Sequence, residues 1–192
     1  MGPERRDSER NVYLIGQPGA GKTTLGRIAA DSLGWRFFDM DEEVERVFGK
    51  DLDALKSEFL TDHSYRAAKV EGLLAFAKEV GRSVIAVSSD CVRVRRAWKH
   101  MHENGVVVHL YADPVEVHER CPIYIGGREL TAAEKKKRHK SLLRQGISLY
   151  KWQRPFYERA DHTLDISGLG IEDAAQRLRE LVFHVTCDQP ST

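Results

Sequence analysis

The segment Gly16-Gln17-Pro18-Gly19-Ala20-Gly21-Lys22-Thr23 carries the most chemistry for its length, because it fits the phosphate-binding pattern G-x-x-x-x-G-K-[ST]. Glycines let such a loop turn its N–H groups inward with no Cβ in the way. The helix expected to start near Lys22 aims its positive end at an anion, and Lys22 adds a point charge. Thr23 offers a hydroxyl ligand for Mg²⁺. Gly16, Gly19, Ala20, Gly21, Lys22, Thr23 and Thr24 are therefore the expected nucleotide contacts. This motif by itself leaves kinases, GTPases and ATPase modules open.

A second chemical cluster follows in Arg36-Phe37-Phe38-Asp39-Met40-Asp41-Glu42-Glu43-Val44-Glu45. It places two carboxylates two residues apart at the carboxyl end of a short strand, where ligands of open α/β sheets sit. A plainer alternative has Asp39 capping the helix and Asp41 in its first turn beside the dipole. Here the sequence resembles the shikimate kinase family, whose Asp-x-Asp pair has a first member near the metal and a second that contacts acceptor hydroxyls and can act as base. The resemblance puts Asp39 beside Thr23 as a metal residue and Asp41 in the catalytic role.

The likeness runs from about Val12 to Leu181, supported by Gly26-Arg27, Val44-Glu45 and Tyr65-Arg66. It implies that Arg66 clamps a substrate carboxylate, since a planar guanidinium holds one bidentately. It also implies that Arg120 packs on adenine and that Arg128, in Gly126-Gly127-Arg128-Glu129-Leu130, is a lid arginine reaching phosphate and substrate. Three departures fall on the acceptor side. Glu71 lies five residues beyond Arg66, where the family motif Phe-Arg-x-x-Glu needs three. The family's three consecutive glycines after the third strand are Ser88-Ser89-Asp90 here. In the family's Arg-x-Pro-x-Tyr motif the arginine is Gln153, with Arg154 one position late. One position is about 100° on a helix. Ser89, Asp90 and Arg154 remain candidate substrate contacts. Asp90 has three readings: a charge that repels an anionic acceptor, a second metal carboxylate, or, with Ser89, a cap for a helix from Cys91.

These residues need a frame, and apolar periodicity supplies one by alternating short β-like runs with helical segments. Strands are expected at Val12–Ile15, Arg36–Phe38, Val84–Val87, Val106–Leu110 and His162–Asp165. Helices are expected from near Lys22, Asp41, Ser64, Cys91, Pro114 and Thr131, with a last one over Ile171–His184. The fold class is α/β, a three-layer P-loop kinase fold with a five-stranded parallel sheet flanked by helices and a mobile lid. One domain spans 1–192, with a frayed tail over 1–10 and a lid at about 122–140.

Composition narrows the partners. With 30 Lys+Arg against 29 Asp+Glu the net charge is +1, which disfavours nucleic acid. The basic runs Lys135–Lys140 and Arg93, Arg95, Arg96, Lys99 read as solvated faces. No apolar stretch approaches a membrane span, no leader is expected, and the myristoylation pattern fails at Arg6. Eight histidines lack zinc-site spacing, and Trp35, Trp98 and Trp152 read as packing residues. Cys91, Cys121 and Cys187 are widely spaced, which suits a reducing, cytoplasmic setting. The expected function is Mg²⁺- and ATP-dependent phosphorylation of a small hydroxylated acceptor by a monomer, with shikimate as the acceptor that the resemblance implies. A different hydroxylated metabolite and a nucleotide-binding regulator stay open.

Overall fold

The computed structural model describes residues 10–78, 80–120, 124–125 and 128–187, without the side chains of residues 120, 124, 125, 128 and 187. The expected tail over 1–10 lies outside these residues except at Arg10. Strand β1 (Asn11–Ile15) leads through the phosphate loop into α1 (Lys22–Leu33) and β2 (Arg36–Asp39). Then come α2 (Met40–Phe48), α3 (Leu52–Ser57), α4 (Asp62–Ala77) and β3 (Ser83–Ala86). The second half runs α5 (Arg95–Asn104), β4 (Gly105–Tyr111), α6 (Pro114–Arg120), β5 (Tyr124–Ile125), β6 (Arg128–Glu129), α7 (Ala132–Tyr157), β7 (His162–Asp165) and α8 (Ile171–Cys187).

The five main strands form one parallel sheet in the order β2-β3-β1-β4-β7. Because strand side chains alternate faces, the continuous apolar run of β1 feeds two cores. Tyr13 and Ile15 join Ile85, Val107 and Leu73 on one face, while Val12 and Leu14 join Val84, Val106, Val108 and Leu178 on the other. The chain winds from β1 to β2, returns to β3 between them, then crosses to β4 on the far side of β1. That reversal puts a crevice at the carboxyl end of β1, where the phosphate loop begins.

Two elements differ from the sequence expectation. Cys91–Arg93 is a single 3₁₀ turn, and α5 begins only at Arg95 after an extended Val94. The indole of Trp98 donates to the Val92 carbonyl at 2.5 Å, occupying an oxygen that a continuous helix would use. The unexpected α3 has one buried side chain, Leu55, and an Asp51 cap that accepts from Ala54 N at 2.7 Å. Six residues are too few to show a periodicity.

The segment expected as a lid divides in two. Its described start is a short antiparallel ladder pairing Tyr124 with Glu129 and Ile125 with Arg128. Residues 132–140 are instead the first turns of the 26-residue α7, fixed by a capping box between Thr131 and Glu134.

Candidate active site

The loop between β1 and α1 is tied down from the β4 side. Gln17 Nε2 donates to the Ala112 carbonyl at 2.7 Å, and Gly16 lies against the Leu110 carbonyl. Gly21 caps α1 with a left-handed φ of 87° and no side chain, so the first N–H groups of α1 remain available to an anion. Lys22 Nζ folds over the loop and donates to the carbonyls of Gly16 at 2.9 Å and Gln17 at 3.1 Å. Ala20 is fully buried, while Thr23 and Thr24 are exposed at the start of the helix.

Asp39 closes the other wall. Its Oδ2 accepts from Thr23 Oγ1 at 2.7 Å and its Oδ1 from the Asp41 backbone N–H at 2.9 Å, so it caps α2 and meets the phosphate loop at once. Asp39 can cap α2 and meet Thr23 together because a carboxylate has two acceptor oxygens. An adjoining hydroxyl and carboxylate form a donor set of the hard, all-oxygen kind that Mg²⁺ takes.

One residue of this site escaped the sequence reading. Lys69, in the middle of α4, has a side chain only 4% exposed, and its Nζ lies 2.6 Å from Asp41 Oδ1 and 3.4 Å from Asp90 Oδ1. It donates to Ser88 Oγ at 2.6 Å, and Ser88 Oγ donates in turn to Asp41 Oδ2 at 3.3 Å. Burial works against the ammonium, yet Asp41 and Asp90 more than offset it and hold its pKa above the ordinary lysine value. Burial likewise opposes the Asp90 carboxylate, and Lys69 outweighs it and keeps its pKa below the usual range. Asp90 makes no cap hydrogen bond; the Cys91 thiol donates to it at 3.5 Å. Burial pushes that thiol far above its usual pKa, so Cys91 stays protonated.

Beside the phosphate loop a cavity of about 380 Å³ is lined by Gly19 to Leu25 on one side and by Ile166, Leu169, Gly170, Ile171 and Ala174 on the other. Its second wall is the entry to α8, held where Glu116 accepts from the Gly168 backbone N–H at 3.0 Å. A polar floor of loop N–H groups beside an apolar wall suits a nucleotide, phosphates on one side and base on the other.

The sequence profile of the family described as Shikimate kinase matches residues 18–182. This chain belongs to the shikimate kinase family. It is 32% identical to the shikimate kinase of Gloeobacter violaceus over 93% of this chain and 96% of that one. Against the enzyme of Thermodesulfovibrio yellowstonii the figures are 29%, 88% and 92%. Among solved structures it resembles the shikimate kinase of Bacteroides thetaiotaomicron, with a TM-score of 0.74 and 27% identity over 90% of this chain and 98% of that one. It also resembles the shikimate kinase of Acinetobacter baumannii described in complex with shikimate, with a TM-score of 0.69 and 25% identity over 92% and 94%.

Within this shikimate kinase fold the departures from the family motifs fall on the residues expected to take the acceptor. The position three beyond Arg66, where the family motif reads Glu, is Lys69, and the last of the three glycine positions is Asp90. Arg66 is half-buried on α4, and Ser89 is half-buried beside Ser88. Gln153 points inward from α7, 4% exposed, and accepts from the Tyr157 hydroxyl at 3.0 Å. Arg154 points away and pairs with Glu158 at 2.7 Å, exposed to solvent. Arg93, expected on a solvated face, instead lies over the Trp152 ring at 4.7 Å with its Nε buried. The break before α5 turns it that way. The side chains of Arg120 and Arg128 lie outside the described residues, so their expected adenine and lid roles are untouched by this geometry.

His109 links the two halves of the site. It is 5% exposed, pairs with Ile15 in the sheet and stacks on Tyr157 at 4.8 Å. Burial, reinforced by the Lys22 charge, lowers its pKa from 6.5 to about 4. The unfolded chain protonates this group near pH 6.5 and the folded chain only near pH 4. Its contribution is therefore complete above pH 6.5 and is lost as the pH falls through that window, by about 3 kcal/mol in all. His109→Gln is expected to flatten the fall of Tm between pH 7 and pH 4.5; an undiminished slope in the variant would contradict this.

Proposed function

We propose that this chain transfers the γ-phosphoryl group of ATP to a hydroxyl of shikimate. The observation that carries this reading is the meeting of the phosphate loop with the Asp39–Asp41 pair through the 2.7 Å Thr23–Asp39 contact, in a chain of this family. The loop N–H groups and Lys22 bind the β- and γ-phosphates and meet charge that develops on their oxygens in transfer. Mg²⁺ brought with ATP would sit at Thr23 and Asp39 and supply charge neutralisation. Asp41, 41% exposed at its side chain, accepts a hydrogen bond from the acceptor hydroxyl, orients it and takes its proton. Arg66 binds the acceptor carboxylate, and Arg128 completes the site by reaching phosphate and substrate. Arg120 packs on the adenine. The enzyme acts as a monomer of one domain in the cytoplasm; among the described residues no helix is long and apolar enough to cross a membrane.

Titration calorimetry of shikimate in the presence of Mg²⁺ and ADP tests the acceptor. Saturable binding in the micromolar to millimolar range, with shikimate-dependent ADP release from ATP, is expected. ADP binding without any shikimate binding would refute the assignment. A second reading, phosphorylation of another small hydroxylated metabolite, is favoured by Lys69, Asp90 and Gln153 at the acceptor side. A panel of hydroxylated acceptors separates the two, since a kcat/KM for shikimate far above every other compound would eliminate the second. Asp41→Asn is expected to lower kcat by about 10²- to 10⁴-fold with the KM for ATP unchanged; a fall of less than tenfold would remove Asp41 from the base role.

A further inference from the structure

Lys69 reaches its position through close packing of helices. Gly72, one turn further along α4, has no side chain where a Cβ would stand 2.9 Å from Val44 Cγ2 of α2. That approach carries Lys69 between α2, which holds Asp41, and the segment after β3, which holds Ser88 and Asp90. An ammonium has three N–H donors, and three acceptors surround this one: Asp41 Oδ1, Ser88 Oγ and Asp90 Oδ1. Ser88 Oγ and Asp90 Oδ1 accept hydrogen bonds from it, and Asp41 Oδ1 is held as an ion pair. The cation is nearly sealed at 4% exposure, whereas the Asp41 and Asp90 side chains are 41% and 29% exposed. The two carboxylates thus meet Lys69 while their side chains stay partly open to solvent.

We propose that Lys69 is a positioning residue for phosphoryl transfer, which fixes the Asp41 carboxylate toward the acceptor hydroxyl and cancels the charge of Asp90 beside it. This rests on the reading of Asp41 as the residue that handles the acceptor. Without the ammonium, Asp41 and Asp90 confront each other as partly buried like charges, and Asp41 swings from its working orientation. An anionic acceptor also meets a net negative wall. Lys69 acts on the acceptor step alone, since its contacts among the described residues lie on the Asp41 and Asp90 side and none of them is to the phosphate loop.

The test is steady-state kinetics on full-length Lys69→Met, Lys69→Arg, Asp90→Asn and the Lys69→Met/Asp90→Asn double variant, with Mg²⁺, ATP and shikimate. Lys69→Met is expected to lower kcat/KM for shikimate about 100-fold with the KM for ATP within about twofold of the parent. Asp90→Asn is expected to cost less than about fivefold, and adding it to Lys69→Met to recover about tenfold, because the uncancelled charge goes with it. Lys69→Arg keeps the charge in a planar fork that cannot meet all three acceptors, and a loss of about tenfold is expected. This variant stands in should Lys69→Met not fold. A Lys69→Met value within about threefold of the parent overturns the proposal. So does a loss that Asp90→Asn does not recover, or one shared equally with the KM for ATP, either of which marks a purely structural ion pair. Should the parent protein not phosphorylate shikimate, the acceptor assignment fails by itself. The same variants are then read in acceptor-free ATP hydrolysis, where Asp41 orients water. The order parent, double variant, Lys69→Met supports the proposal and equal rates overturn it.

Discussion

Lys22→Met is expected to cut shikimate-dependent ADP release about 10³-fold, which corresponds to about 4 kcal/mol of transition-state stabilisation. The ammonium already lies over the loop carbonyls of Gly16 and Gln17, at 2.9 and 3.1 Å, so it is held close to where phosphate oxygens bind. Methionine keeps the length and the apolar stem and removes only the charge. Folding should therefore be little changed, with loss of the carbonyl contacts costing at most about 1 kcal/mol. The measurement is kcat with saturating ATP, alongside thermal unfolding. A fall of less than tenfold with a native Tm would mean that the loop N–H groups and Mg²⁺ suffice, and would remove Lys22 from the transfer step.

Gly16→Ala should damage nucleotide binding and stability, by a different physical route. Gly16 has a φ of +151°, and a Cβ built there would stand 2.6 Å from the Leu110 carbonyl oxygen. The obstacle is the backbone of the interior strand β4, which cannot step aside as a flexible side chain would. Strain and displacement together should cost about 3 kcal/mol of stability. They should also push the loop out of register with its phosphates, weakening ADP binding at least about tenfold. Gly34→Ala is the internal control, since Gly34 has a φ of +65° with nothing within 4 Å of its Cβ site. It should lose about 1 kcal/mol and leave ADP affinity alone. Denaturant unfolding and ADP titration on both variants decide the matter. Equal ADP affinities would show that the tight approach to Leu110 is not what shapes the loop.

The nucleotide half and the acceptor half of this molecule differ in how they are encoded. The phosphate loop and the Asp39–Asp41 pair are local features. Each lies in one short stretch whose glycine content, spacing and flanking strand already imply backbone geometry, so their placement was readable from the order of residues. The five strands were readable for the same reason, because a short apolar run bounded by polar or turn residues is a property of a single segment. Even the double use of Asp39, as cap and as partner of Thr23, follows from a short strand that ends beside a loop.

Lys69, Arg93 and the cavity wall at Ile166 to Ala174 were not readable. In a chain with 31% charged residues a lysine on a helix reads as solvated, and nothing local marks one that is buried. Asp90 read as a cap or as a charge in the pocket, because its partner lies on another element. What decides these contacts is the sheet order β2-β3-β1-β4-β7, in which β3 inserts beside β2 and aligns Asp39 with Ala86. That insertion sets Ser88 and Asp90 next to Asp41, and the bare flank of α4 at Gly72 lets Lys69 enter between them. Likewise the break at Val94 that swings Arg93 onto Trp152 depends on Trp98 capturing a carbonyl. Periodicity specifies which face of each element is buried. Which charges meet once those faces pack is fixed by the crossover order and by distances between elements, and these exist only in the folded chain.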